Sequence, residues 1–176
     1  MTSILGPIIG KDNPLTIEHS ARTAAAAVVS LFVARWFGLS ESYWAAITTL
    51  VVMQSTLGAA LPISAQRLVG TALGAALGAL AGTYYPGNAL VFGACVLLLG
   101  IVFVPFRLDR NAYRYAGITL AIIMLVPGHS GLIVALHRFF EVSVGIAVGL
   151  AFSALWPERL AVTLNGSPDT RRRGMG

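Results

Sequence analysis

The sequence predicts an all-α, polytopic membrane protein with six transmembrane helices, arranged as an inverted repeat of two three-helix units. Three observations lead there. Of the 176 residues, 56% are hydrophobic and only 11% are charged, where a soluble domain carries about 25% charged residues. The apolar residues fall into six runs separated by short turns. The chain also matches itself after an ungapped shift of 71 residues.

Residues 1–18 read as a polar lead with Lys11, Asp12 and Pro14. No cleavable signal is expected, because the first apolar run begins near Ala21 and continues as a span. The six runs cover about 21–37, 43–60, 62–84, 89–106, 115–127 and 132–156. A short turn, Gly38 to Ser42, joins the first two, and Pro62 is expected to end the second. Tyr84-Tyr85-Pro86-Gly87-Asn88 is a turn with interfacial aromatics. Residues 107–114 form a basic loop, and Gly128-His129-Ser130-Gly131 turns the chain into the last run. A span needs roughly 20 residues, so the third, fourth and sixth qualify easily and the fifth is short. The membrane domain is therefore 19–157, with repeats at about 19–86 and 90–157, followed by a basic tail over 158–176.

Charge orients the set. With the N-terminus inside, the inner segments hold ten of the twelve basic residues, and only Arg35 and Arg138 fall outside. This asymmetry predicts both termini in the cytoplasm. The net charge of +5 is mostly loop arginine and does not point to nucleic acid. The lone Cys95 excludes an intrachain disulfide. No P-loop, dinucleotide fingerprint or metal cluster is evident, so neither cofactor nor metal is expected.

The third run carries Gly70, Gly74, Gly78 and Gly82 on one helix face. Such a face costs about 1 kcal/mol per glycine in water, but in lipid it lets another backbone approach closely. The 71-residue shift superposes Ala45, Ile47, Thr48 and Met53 on Ala116, Ile118, Thr119 and Met124, and Arg67, Gly74, Ala76 and Gly78 on Arg138, Gly145, Ala147 and Gly149. An odd number of spans per unit inserts the second unit upside down. Arg67 is then expected near the inner face and Arg138 near the outer face, each on the entry turns of a glycine-faced helix.

Two readings stand for each charged site. Arg67 either fixes topology by snorkelling or, with free N–H groups at a helix start, attracts an anion. Arg138 either pairs with Glu141 one turn on or attracts an anion at the other face. Arg22 and Arg35 are 13 residues apart, about 20 Å of helix, so either they snorkel or one faces a hydrated cavity. Glu141 and His137 could couple protons or form a satisfied structural cluster. Thr48, Thr49, Gln54, Ser55 and Thr56 give the second span a polar side, suited to helix–helix hydrogen bonds. Trp36, Tyr43, Trp44, Tyr84, Tyr85 and Trp156 read as interfacial belt residues. Gly128-His129-Ser130-Gly131 is similar to the GxSG signature of rhomboid proteases. A base from a later helix is needed there, and the only later histidine is His137. Enzyme activity is not expected.

Tyr43-Trp44-Ala45-Ala46-Ile47-Thr48, then Arg67-Leu68-Val69-Gly70-Thr71 with Gly74 and Gly78, then Arg138 with Glu141, Gly145 and Gly149, resemble the fusaric acid resistance-like transporters, the superfamily that includes the aromatic acid exporters. The resemblance covers about 18–158. It implies a multi-pass inner-membrane transporter that exports aromatic or other organic anions, driven by the proton gradient. Arg67, Arg138, Thr71 and Thr48 are the substrate-binding candidates. Larger members carry two six-helix units and soluble domains, which implies a homodimer here, with membrane lipid and a small organic anion as the other partners. A non-transporting assembly or stabilising subunit is the alternative.

Overall fold

A computed structural model describes residues 17–53, 56–105, 107, 109–126 and 131–156. The polar lead before residue 17, the basic tail after residue 156, Gln54, Ser55 and the His129-Ser130 turn lie outside the described residues. The described elements are helices: α1 (Ile17–Trp36), α2 (Tyr43–Val52), α3 (Leu57–Tyr84), α4 (Ala89–Phe103), α5 (Arg110–Leu125) and α6 (Gly131–Leu155).

Local sequence sets their limits. Four consecutive alanines favour helix in α1, and Arg22, Ala26, Ser30 and Ala34 form its buried face at a spacing of four. The second run does not form one helix over 43–60. It stops at Val52, where Met53 turns to ψ 117°, and restarts after Thr56. The Thr56 backbone is extended and its hydroxyl accepts from the Ala59 N–H at 3.3 Å, an N-cap that satisfies one of the free donors of the new helix. Pro62 is not a terminator. It lies inside α3, close enough to the start that its missing N–H removes only the bond to the Gly58 carbonyl. Asn88 caps α4 by accepting from Leu90 and Val91, and α4 ends at Phe103 rather than 106. Asp109 caps α5, so Arg110 and Arg114 occupy its first turns instead of a loop.

Two helices, α3 and α6, are long and apolar enough to cross a membrane, while α2 and α4 are apolar but shorter. With 10 residues, α2 reaches about 15 Å, half a hydrocarbon core of about 30 Å. The third and sixth runs thus form two long central helices, whereas the fourth, expected to be a full span, forms a helix of only 15 residues.

The central helices run antiparallel: Gly131, at the start of α6, meets Ala79, Gly82 and Thr83 near the end of α3. Each also runs beside a short helix of the other half, α3 with α5 and α6 with α2. The glycines set these spacings. A Cβ on Gly74 would strike the backbone carbonyl of Ala116, and one on Gly145 would strike that of Ala45. Gly78 faces Ile123, and Gly149 faces Val52. Each of these contacts becomes the other under the 71-residue shift. Whole helices follow the same exchange: α1 packs on α2 and α6, and α4 packs on α5 and α3.

Burial is inverted relative to a soluble bundle. Glycine, alanine, threonine and serine fill much of the interior, with an apolar cluster of Leu99, Phe103, Leu120 and Met124 under α4. Phe32, Leu80, Leu90, Leu97, Ile101 and Phe140 are exposed. The two ends of the described chain are tied together. Arg22 Nη1 donates to the Trp156 carbonyl at 2.7 Å, and Trp156 Nε1 donates to Glu18 Oε1 at 3.1 Å.

Candidate functional site: two buried arginines at one cavity

Arg67 and Arg138 are brought to the same place. They line one cavity of about 20 Å³, together with Thr71 and Thr119, enough for about one water. Arg67 is 7% exposed. Its Nε and Nη2 donate to Thr48 Oγ1 at 3.1 and 3.0 Å, and its guanidinium lies 4.9 Å over the Tyr115 ring. Arg138 is 3% exposed, and its guanidinium lies 3.9 Å over the Trp44 ring. An aromatic face attracts a cation and excludes water from one side of it. The other edges of the two guanidinium groups are left for hydrogen bonding.

This differs from two arginines at opposite mouths. The reason is the earlier start of α3 at Leu57. Arg67 is ten residues into the helix, about 15 Å from its first turn, so the free N–H groups of the helix start are not beside it. Arg138 is seven residues into α6. The two helices enter from opposite ends of the bundle, and their arginines meet in its interior.

Arg138 has two acidic partners. Glu141 Oε2 is 3.6 Å from Nη1, the expected pair one turn on. Glu41, in the turn between α1 and α2, is closer: its Oε2 accepts from Nη2 at 2.5 Å. Glu141 Oε1 also accepts from the Glu41 N–H at 3.0 Å, which fastens this turn to α6. Above the pair opens a second cavity of about 140 Å³, lined by Ser40, Glu41, His137, Arg138 and Glu141 among others. His137 Nδ1 is 3.5 Å from Ser40 Oγ.

The structure thus places Thr71 at the cavity shared by both arginines, Thr48 against Arg67, and Glu141 and His137 at the adjoining cavity. Thr49 makes the expected interhelical bond, donating to the Gly145 carbonyl at 3.0 Å. Trp44 is not a belt residue but the ring beneath Arg138, whereas Trp36, Tyr84 and Tyr85 are exposed. Arg22 is fully buried and serves the end of α6, while Arg35 is exposed. Glu41, Tyr115 and the place of Trp44 beneath Arg138 escape a reading of the sequence, and Thr119 appears there only as the counterpart of Thr48. The shift that pairs Thr48 with Thr119 also pairs Trp44 with Tyr115 and could have found those. Glu41 has no such signal, since the shift sets it against Ala112. Among the described residues there is no His, Cys, Asp and Glu grouping that could hold a metal ion.

Two guanidiniums and two threonines lining one cavity suit a planar anionic group such as a carboxylate, which can take two parallel N–H···O bonds. A helical bundle with small-residue seams, an apolar exterior and a buried cationic centre is of the membrane-transporter kind. The model of the fusaric acid resistance protein-like family matches residues 25–152, and the chain belongs to that family. An inner membrane protein of Escherichia coli, YeeA, is 31% identical over 152 residues, covering 81% of this chain and 42% of the relative. A second inner membrane protein of that organism, YccS, is 28% identical, covering 80% of this chain and 20% of the relative. An uncharacterized transporter of Gluconobacter oxydans is 26% identical, covering 82% of this chain and 21% of the relative. The chain therefore spans less than half the length of these relatives. No solved structure matches it.

Proposed function

We propose that this chain is the six-helix membrane unit of an inner-membrane exporter of aromatic or other organic anions, with both ends of the unit cytoplasmic. Arg67 and Arg138 hold the substrate carboxylate, and Thr48 and Thr71 complete its hydrogen bonds. Glu141 and His137 couple export to protons. A second unit, supplied by another copy of the chain, completes the transporter. Family membership and the names of the relatives support the membrane and transport parts of this reading.

The carrying observation is the convergence of two arginines, from oppositely running glycine-faced helices, on one cavity. Charge inside an apolar bundle costs at least about 2.5–3.5 kcal/mol per residue on insertion scales, and Arg67 is held by a neutral threonine and an aromatic ring. An anion between the two guanidiniums offsets that cost. The exchange-related contacts at Gly74–Ala116 and Gly145–Ala45 support an inverted repeat, the architecture that lets one half rock against the other. At about 20 Å³ the cavity is closed to an aromatic acid, so sliding along these glycine seams must open it.

The test is benzoate efflux from proteoliposomes, with and without an imposed pH gradient. Wild-type flux is expected to follow the gradient, and Arg67→Gln and Arg138→Gln are each expected to lose at least about tenfold, on the scale of one charged hydrogen-bond partner. Unchanged flux in both variants, with folding intact, would remove the arginines from the substrate path. The small cavity also favours a second reading, a non-transporting assembly or stabilising subunit, which predicts no benzoate flux from any form.

A further inference from the structure

The two halves make corresponding contacts along their glycine seams but differ at residue 141. The position equivalent to Glu141 is Gly70, and that equivalent to Glu41 is Ala112. In the first half, Gly70 packs directly on the Ala112 carbonyl and Tyr115, so the bundle is shut there. In the second half, two carboxylates occupy the same relation, and a cavity of about 140 Å³ stands over them. The difference has a chemical consequence at Arg138. Its guanidinium, 3% exposed, is taken on one edge by Glu41, while Nε and Nη1 have no hydrogen-bond partner among the described residues. The Glu41 side chain is 39% exposed, while its backbone N–H stays held by Glu141 Oε1, so the carboxylate can swing away with the turn in place.

We infer that Glu41 is a tethered counter-ion that competes with the substrate carboxylate for Arg138. This rests on the anion reading of the arginine cavity and assigns to that site a specificity-determining residue. With the anion bound, Glu41 is displaced into the adjoining cavity, where Ser40 and His137 can receive it. When the anion leaves through that cavity, the Glu41 carboxylate returns to Nη2 and blocks re-entry. Proton-free, the exchange of one carboxylate for another keeps the buried guanidinium paired throughout, so no step leaves a bare charge in the interior. The Gly70–Ala112 end has no such competitor. The device therefore acts at one end only.

Benzoate binding to the purified full chain in detergent tests this, read by titration calorimetry and by emission of Trp44 in a Trp36→Phe, Trp156→Phe background. Removing an internal competitor raises apparent affinity by the fraction of time the competitor held the site. Glu41→Gln and Glu41→Ala are expected to tighten benzoate about tenfold, and Glu18→Gln, at the far end of the bundle, to leave it unchanged. The gain is expected to vanish in an Arg138→Gln background, which isolates the pairwise coupling. If the wild type binds benzoate and Arg138→Gln loses it, yet neither Glu41 variant tightens it, the competitor is disproved and the anion site stands. If the gain persists without Arg138, the competitor is likewise disproved. If no form binds benzoate, the anion site fails and the competitor with it.

Discussion

Single residues in this chain act mainly by being small. Gly74 is the sharpest case, because a methyl there meets a backbone carbonyl, that of Ala116, which no rotamer change can move. Helix propensity favours alanine over glycine by about 1 kcal/mol, whereas overpacking costs typically 1–3 kcal/mol, so the clash outweighs the gain in propensity. Gly74→Ala is expected to lower stability by about 1–2 kcal/mol, measured as thermal unfolding in detergent. Gly93→Ala is the counter-case, an exposed helical glycine with nothing within 4 Å of an added Cβ, and is expected to gain up to about 1 kcal/mol. Equal shifts at the two positions would mean that the seam does not set stability. Spacing alone revealed the glycine face. It could not reveal that the partner is α5, because the tightest contacts are to the backbone carbonyls of Ala112 and Ala116, which carry no side-chain signature. Glu41 was illegible for a related reason: a turn glutamate looks solvated until a buried arginine is found beside it.

Elements are joined by fewer and stronger ties. The start of α1 meets the end of α6 through Arg22, which is fully buried and donates to the Trp156 carbonyl. A cation at a helix C-terminus also opposes the negative end of the dipole. Arg22→Met leaves that carbonyl without this donor and is expected to cost about 1–3 kcal/mol. Arg35→Met, at an exposed position on the same helix, is expected to stay within about 0.5 kcal/mol. The comparison is read from unfolding midpoints of the two variants. If they fall together, Arg22 contributes only surface charge. Hydropathy showed both arginines flanking one run but had no means of ranking them, since their burial depends on where α6 ends. It also merged the end of α2 with the start of α3. Only Gln54, Ser55 and Thr56 interrupt the apolar residues of 50–62, and the break at Met53 and the Thr56 cap are backbone events that a hydropathy window averages away.

The whole molecule is organised by one exchange. Positions 71 apart make corresponding contacts with corresponding partners: Gly145 meets Ala45 as Gly74 meets Ala116, and Arg138 covers Trp44 as Arg67 covers Tyr115. The shift was legible in the sequence because glycine and arginine cannot be replaced at these contacts without losing either the close approach or the charge. An inverted pair of three-helix units places equivalent positions on opposite sides of the membrane. Ser40 and Asn111 are such a pair, one in the turn before α2 and one in the first turn of α5. In a Cys95→Ser background, Ser40→Cys is expected to react with an impermeant maleimide applied to intact cells. Asn111→Cys is expected to react only after the membrane is opened. Labelling of both from the same side would contradict the inversion and return the contact symmetry to a parallel or soluble origin. Reversed sidedness would keep the inversion but put most of the basic residues outside, against the charge asymmetry on which the proposal of cytoplasmic ends rests. The cavity over Glu41 would then face the cytoplasm, and the competitor would meet the anion as it enters from that side.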